Sequence, residues 1–252
     1  MVGAVMAAGG IEGARAQGTA KTFVLVHGAW HGGWCWRRVA DQLERKGHKV
    51  FTPTLTGLAD RSHLLTKDVN LATHTADVVN LIKWEGLTNV VLVGHSYAGL
   101  VVTQVAEQSG AAIASIVFLD AFYPQVGESL MALASPGTKK ALEDATAKGE
   151  TQLKPIPAAA FNVNEKDRAW VDSLCTPHPF GTFVDKVTGT GGREKIAKKT
   201  YVRAAGYNSP SFDMALGRVK ADASWKTFAV PSGHDVMVDM PERLVEILLE
   251  VG

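Results

Sequence analysis

The sequence predicts an α/β fold: a mostly parallel sheet of about six strands flanked by helices, with a helical cap insertion late in the chain. Three observations predict it. Short apolar runs rich in β-branched residues, the kind buried on both faces of a sheet, recur along the chain. Segments with helical spacing separate them, so the strands must be joined by right-handed crossovers and pair in parallel. One long stretch, residues 125–198, breaks this rhythm.

Thr22 to Val26 reads as the first strand, and a Gly- and Trp-rich loop follows from His27 to Trp36. Arg37 to Lys46 carries Val39, Ala40 and Leu43 on one helical face, with Gly47 as its stop. Lys49 to Thr52 is a second strand, ended by Pro53, and the polar stretch Thr54 to Asn70 reads as loop. Thr73 to Glu85 is helical, with Ala76, Val79 and Ile82 in register and Gly86 beyond. Asn89 to Val93 is a third strand that runs into Gly94-His95-Ser96-Tyr97-Ala98-Gly99, and Leu100 to Glu107 reads as helix. Ser115 to Leu119 is a fourth strand, ending at Asp120; Lys199 to Ala204 and Trp225 to Val230 are two more. Asp239 and Glu242 have capping-box spacing before a last amphipathic helix through Leu249. Residues 125–198 hold helical pieces, prolines at 155, 157, 177 and 179, and the aromatics Phe161, Trp170, Phe180 and Phe183. A structureless crossover of that length is uncommon. The stretch therefore reads as a cap over one end of a core built from residues 21–124 and 199–252. The basic run Arg193 to Lys199 reads as a solvated helix face.

The chain has 252 residues, enough for a core that needs no disulfide or metal to hold it. Lys plus Arg (26) nearly balances Asp plus Glu (25), so the basic footprint of a nucleic-acid binder is missing. No apolar run approaches the ~20 residues of a membrane span. Cys35 and Cys175 belong to no C-x-x-C pattern and read as unpaired buried thiols. Residues 1–20 read as a leader outside the fold. They contain Ala14-Arg15-Ala16, the shape of a signal-peptidase site, but lack a basic start. A remnant of an export signal (periplasmic or secreted) and a disordered leader on a cytoplasmic protein both remain open.

Ser96 sits where a buried strand turns sharply into a helix, so its side chain projects beyond the sheet edge where α/β folds bind ligands. This is a nucleophile-elbow pattern, with Ala98 in its last place and Gly99 next. Acyl transfer needs fixed N–H donors for the developing oxyanion, and the backbone amides of Tyr97 and Ala29 are placed to supply them. A serine hydroxyl also needs a base. His234 lies just past the last strand at the same sheet edge, while His95 is held inside the elbow. Asp120, at the end of the fourth strand, is the candidate acid to orient His234; Asp213, Asp222 and Asp235 are rivals. His27 and His31 read as hydrogen-bonding residues near the pocket rather than a metal pair, since no third ligand is apparent. Trp30, His31, Phe122 and Trp170 are the candidate substrate-binding residues, suiting a hydrophobic ester.

The stretches FVLVHGAWHGGWCW, VVLVGHSYAG, IVFLDAFYP and SGHDVMVDMPERL resemble the α/β-hydrolase superfamily. The closer likeness is to the branch of plant methylesterases, hydroxynitrile lyases and small bacterial esterases of the pyrethroid type. That resemblance implies no metal or organic cofactor, a helical cap, and catalysis by Ser96 and His234. It also carries a departure. The plant members place their acid after the strand that corresponds to Thr200–Ala205, where this chain reads Ala205-Gly206-Tyr207-Asn208, and they have a neutral residue at the place of Asp120. The acid has moved to a neighbouring strand end, which triad geometry permits. The lyases use a Lys beside the catalytic His; here Asp235, Val236 and Met237 follow it. The expectation is a serine esterase acting on small-molecule esters, with a hydroxynitrile lyase or a non-catalytic receptor on the same scaffold as alternatives.

Overall fold

Six strands of a computed structural model, which describes residues 20–252, pair in parallel: β1 (Thr22–Val26), β2 (Lys49–Phe51), β3 (Val90–His95), β4 (Ile113–Leu119), β5 (Lys198–Ala204) and β6 (Trp225–Val230). Their order is β2-β1-β3-β4-β5-β6. Alternate residues of each strand feed two cores, as a period of two demands. Val24, Leu92, Ile116 and Tyr201 face one side; Leu25, Val93, Val117 and Val202 face the other. The first core is closed by α2 (Leu71–Trp84), α3 (Ala98–Ser109) and α6 (Pro210–Lys220), the second by α1 (Arg37–Arg45) and α7 (Pro241–Val251). Between β4 and β5 run α4 (Pro136–Ala147), α5 (Glu165–Leu174), shorter helical turns and a two-residue antiparallel ladder joining Gln152–Leu153 to His178–Pro179.

Register aligns the strand ends. Val26 pairs with Gly94, His95 with Leu119, Leu119 with Val202, and Ala204 with Val230. Four loops therefore leave one sheet edge side by side: those after β1, β3, β4 and β6, carrying Ala29, Ser96, Asp120 and His234.

Some local expectations shift. Helix α2 starts at Leu71, because Asn70 caps it and exchanges a reciprocal capping box with Thr73. The loop before it contains a 3-10 turn, Ala59–Leu64. Helix α7 starts at Pro241 with no side-chain cap; the fixed φ of proline opens it instead. The Asp239 carboxylate accepts bonds from the Asn164 backbone N–H (3.0 Å) and side-chain amide (2.7 Å). The basic run is not a helix face and is only half solvated: Lys195 and Lys198 are exposed, Arg193 and Lys199 are not. Arg193 is buried over the Tyr123 ring at 3.8 Å and donates to Pro124 O and Thr103 Oγ1, while Lys199 lies inside β5. Charge run alone does not reveal such acceptors. The leader expected over residues 1–20, with its Ala14-Arg15-Ala16 site, lies outside the described residues apart from residue 20. Among the described residues no helix is long and apolar enough to cross a membrane.

Candidate active site

Ser96 has φ +55, a left-handed conformation that a non-glycine residue holds only under constraint. The constraint is visible. A Cβ on Gly94 would lie 2.8 Å from Val102, and one on Gly99 would lie 1.9 Å from the Phe122 carbonyl oxygen. The elbow is thus packed against its own helix and against the chain just after β4. Ser96 N–H donates to Leu119 O, and Ser96 O accepts from the N–H groups of Gly99 and Phe122.

His234 Nδ1 lies 2.7 Å from Asp120 Oδ2. The other carboxylate oxygen accepts from Arg203 Nη1 (2.8 Å) and the Ala204 N–H (3.0 Å). Asp120 is fully buried, and these bonds hold its carboxyl group oriented. Oδ1 already accepts from Arg203 and Ala204, and Oδ2 faces His234 as an acceptor, so the imidazole donates from Nδ1 and Nε2 is the nitrogen that can offer a lone pair. The imidazole stacks on Phe212 (5.1 Å, 13°) and meets Tyr207 (4.9 Å) and Phe161 (5.3 Å). Among the described residues no hydrogen bond joins its Nε2 to the Ser96 hydroxyl. Nucleophile–base bonds of this kind often close only around bound substrate.

Ser96 and His234 line one cavity of about 700 Å³, open mouth included. Ala29, Trp30, Tyr97, Phe122, Phe161, Phe183 and Phe212 line it too, with Asn208, Ser209 and Ser211 adding polar groups. Among the described residues neither the Ala29 N–H nor the Tyr97 N–H has an acceptor, although both residues are buried. Two buried amides beside the serine thus have donors to spare.

Two candidate substrate residues lie elsewhere. His31 is buried behind the Gly–Trp loop, with Nδ1 on Ala29 O and Nε2 on Asp235 Oδ2. Trp170, on α5, packs edge-on against Trp34 (5.2 Å) and under the Arg38 guanidinium (5.1 Å). Neither lines the cavity. Residue type gave no direction for these side chains; for His31 the loop path decides it, and for Trp170 the helix face. Of the rival acids, Asp213 bonds Arg203, Asp235 bonds His31, and Asp222 caps the turn at Ser224. Arg203, Tyr207 and Phe212 were not foreseen. The signal for Arg203 was available in part: an arginine next to the last residue of an apolar strand needs a buried acceptor.

Other groups are quiet. His95 donates from Nε2 to His234 O (3.1 Å), and burial, then the neighbouring His234, holds its pKa well below the usual histidine range. His27 accepts from Leu55 N–H and donates to Gly28 O; burial lowers it to about 3. Both cysteines are free, and burial pushes the Cys35 thiol well up and Cys175 up to about 12, so neither is a nucleophile at neutral pH. His95, His234 and Asp235 bring donor atoms within 4.8 Å of one another, a set that could ligate zinc, but His234 Nδ1 is committed to Asp120 and Asp235 Oδ2 to His31.

Residues 23–247 match the model of the alpha/beta hydrolase family. The chain belongs to the α/β-hydrolase family. This α/β hydrolase is 41% identical over 239 residues to a carbendazim hydrolyzing esterase from Nocardioides sp. (strain SG-4G), covering 91% of this chain and 99% of that one. It is 34% identical over 108 residues to methylesterase 7 of Arabidopsis thaliana, 42% of each chain. Its fold matches that of an extracellular alpha/beta-hydrolase from a Paenibacillus species with a TM-score of 0.79 at 24% identity, over 92% of this chain and 99% of the other.

Proposed function

We propose that this α/β hydrolase is a serine carboxylic-ester hydrolase. Ser96 attacks the ester carbonyl while His234 Nε2 takes its proton. Asp120 holds the imidazole and steadies the cation that forms. The Ala29 and Tyr97 amides receive the oxyanion. His234 then protonates the leaving alcohol and activates the water that cleaves the acyl-enzyme. The observation that carries the reading is the 2.7 Å bond between His234 Nδ1 and a buried Asp120, at the wall of the cavity that Ser96 enters.

The aromatic wall favours hydrophobic esters, and the two relatives with esterase names, one of them acting on carbendazim, support a small-molecule ester substrate. Nitrophenyl acetate and butyrate, with carbendazim beside them, form the first panel. Wild type should turn over at least one, and Ser96→Ala should lose activity by on the order of 10⁴-fold or more. A serine-directed organophosphate should add covalently to Ser96. Full activity in Ser96→Ala, or cyanide release from a cyanohydrin without ester cleavage, would sink the reading.

A further inference from the structure

The peptide that joins Ala29 to Trp30 is gripped at both ends by histidines from distant parts of the chain. Its carbonyl oxygen lies 2.8 Å from His31 Nδ1, and its N–H lies 3.2 Å from His178 Nδ1. The two imidazoles face opposite demands. His31 Nε2 also meets Asp235 Oδ2 at 3.0 Å. A carbonyl and an ionised carboxylate only accept, so both nitrogens of His31 must carry protons. His31 is therefore an imidazolium in a buried ion pair, with side chains 2% and 0% exposed. Burial alone would strip that proton; the carboxylate and the carbonyl outweigh it and raise the pKa above the ordinary value.

At His178 the logic reverses. Trp30 N–H is a donor, so Nδ1 must offer its lone pair. Nε2 lies 2.8 Å from Thr182 Oγ1, whose own proton goes to Pro179 O at 2.9 Å, so Nε2 carries the hydrogen. His178 is neutral, and burial, then His74, His27 and His31 nearby, keeps it so. The segment that carries His178 grips Trp30 elsewhere too: Thr176 N–H donates to Trp30 O (2.9 Å), and the Trp30 indole donates to Leu153 O (3.2 Å). Trp30 needs this grip, since its φ is +65.

We infer that His31, as a cation, and His178, as a neutral acceptor, are positioning residues that fix the peptide on the C-terminal side of Ala29 and so hold this residue's backbone, with its N–H on the preceding peptide, in the orientation that meets the oxyanion. The inference rests on the reading of Ala29 as an oxyanion donor. It makes the segment between β4 and β5 part of the catalytic geometry and more than a cover for the cavity.

The test uses the full chain with His178→Leu, which removes the acceptor, and His178→Asn, which keeps one near the Nδ1 position. Rates on a nitrophenyl ester are taken per active site, counted by organophosphate titration, and paired with the affinity of a trifluoromethyl ketone whose serine adduct bears an oxyanion. His178→Leu should lower kcat by on the order of 10–100-fold with KM changed less than about threefold, and weaken the ketone by a similar factor, somewhat less than deleting a donor outright. His178→Asn should restore most of both. Unchanged kcat per titrated site and unchanged ketone affinity in His178→Leu, with only a lower Tm, would overturn the inference. Nitrogen-15 NMR of the imidazoles at pH 7 decides the charge states whether or not any ester is cleaved. It should read both His31 nitrogens as protonated and His178 as the neutral Nε2–H form. A neutral His31 or a cationic His178 overturns the inference, whereas absence of ester turnover with the expected spectra would fault the esterase reading alone.

Discussion

Asp120 is held from two sides, and the side away from His234 explains how a fully buried carboxyl group can stand after β4. Arg203, at the end of β5, places its guanidinium on Asp120 Oδ1 and spends its remaining donors on Asp213, Ala204 O and Tyr207 O. Breaking a buried ion pair costs more than the pair contributes, because one charge stays behind. Arg203→Met should therefore lose about 3–5 kcal/mol in urea unfolding. Asp120→Asn should lose turnover by on the order of 10⁴-fold while remaining folded. The double variant should be more stable than Arg203→Met alone, since the stranded carboxylate is gone. Additive losses across that cycle would show that the two residues do not share a network. At this scale Ser96, His234 and Asp120 were legible as a cluster because each follows the end of a strand by no more than four residues, and those strands end at one edge. His31 and Trp170 were not, because aromatic or imidazole character says nothing about which side of a loop or helix a side chain takes.

The elbow is an agreement between elements. Helix α3 begins two residues after Ser96, and its second residue, Gly99, meets the backbone beyond β4 with no space for a methyl group. Alanine in a helix interior would otherwise gain roughly 1 kcal/mol over glycine. Here the added Cβ would sit 1.9 Å from a carbonyl oxygen, so backbone must move. Gly99→Ala should destabilise by roughly 2–3 kcal/mol despite the helix propensity, and should slow turnover because Phe122 and Asp120 share the displaced segment. A neutral or stabilising effect by thermal or urea unfolding would mean that the approach is looser than the structure has it. The central strands were readable because they are buried on both faces; β2 and β6, at the sheet edges, are not. The segment between β4 and β5 was readable as an insertion with helical pieces but not piece by piece, because its short turns and its two-residue ladder take their conformation from contacts with the Gly–Trp loop and α2, which leave no local pattern. Thr176 and His178 gain their meaning only from Trp30, more than a hundred residues away.

Across the whole molecule, the His31–Asp235 pair joins the loop after β1 to the loop after β6, 204 residues apart, and it makes stability depend on pH in a definite window. Asp235 is held well below the usual carboxylate range. Burial works against this, but His31 foremost, then His95 and His234, outweigh it. A depressed acid contributes above its unfolded value, about 3.9, and that contribution is lost as pH falls. His31 is raised, so its contribution is complete below its unfolded value, about 6.5, and is lost as pH rises through the folded one. The pair is therefore fully effective between about pH 4 and pH 6.5. His234 faces Asp235 as well; of the remaining groups around the pair, burial lowers His27 to about 3 and keeps His95 and His178 well below their ordinary value, while the Cys35 thiol is pushed up, so these do not titrate there. Removing one member of a buried pair strands the other, so Asp235→Asn should lower Tm most in that window. The gap between the Tm curves of wild type and variant should narrow below about pH 4 and again above neutrality as His31 gives up its proton. Parallel Tm curves from pH 3 to pH 9 would mean that His31 is neutral throughout and that the loop carrying Ala29 is held by packing instead of charge.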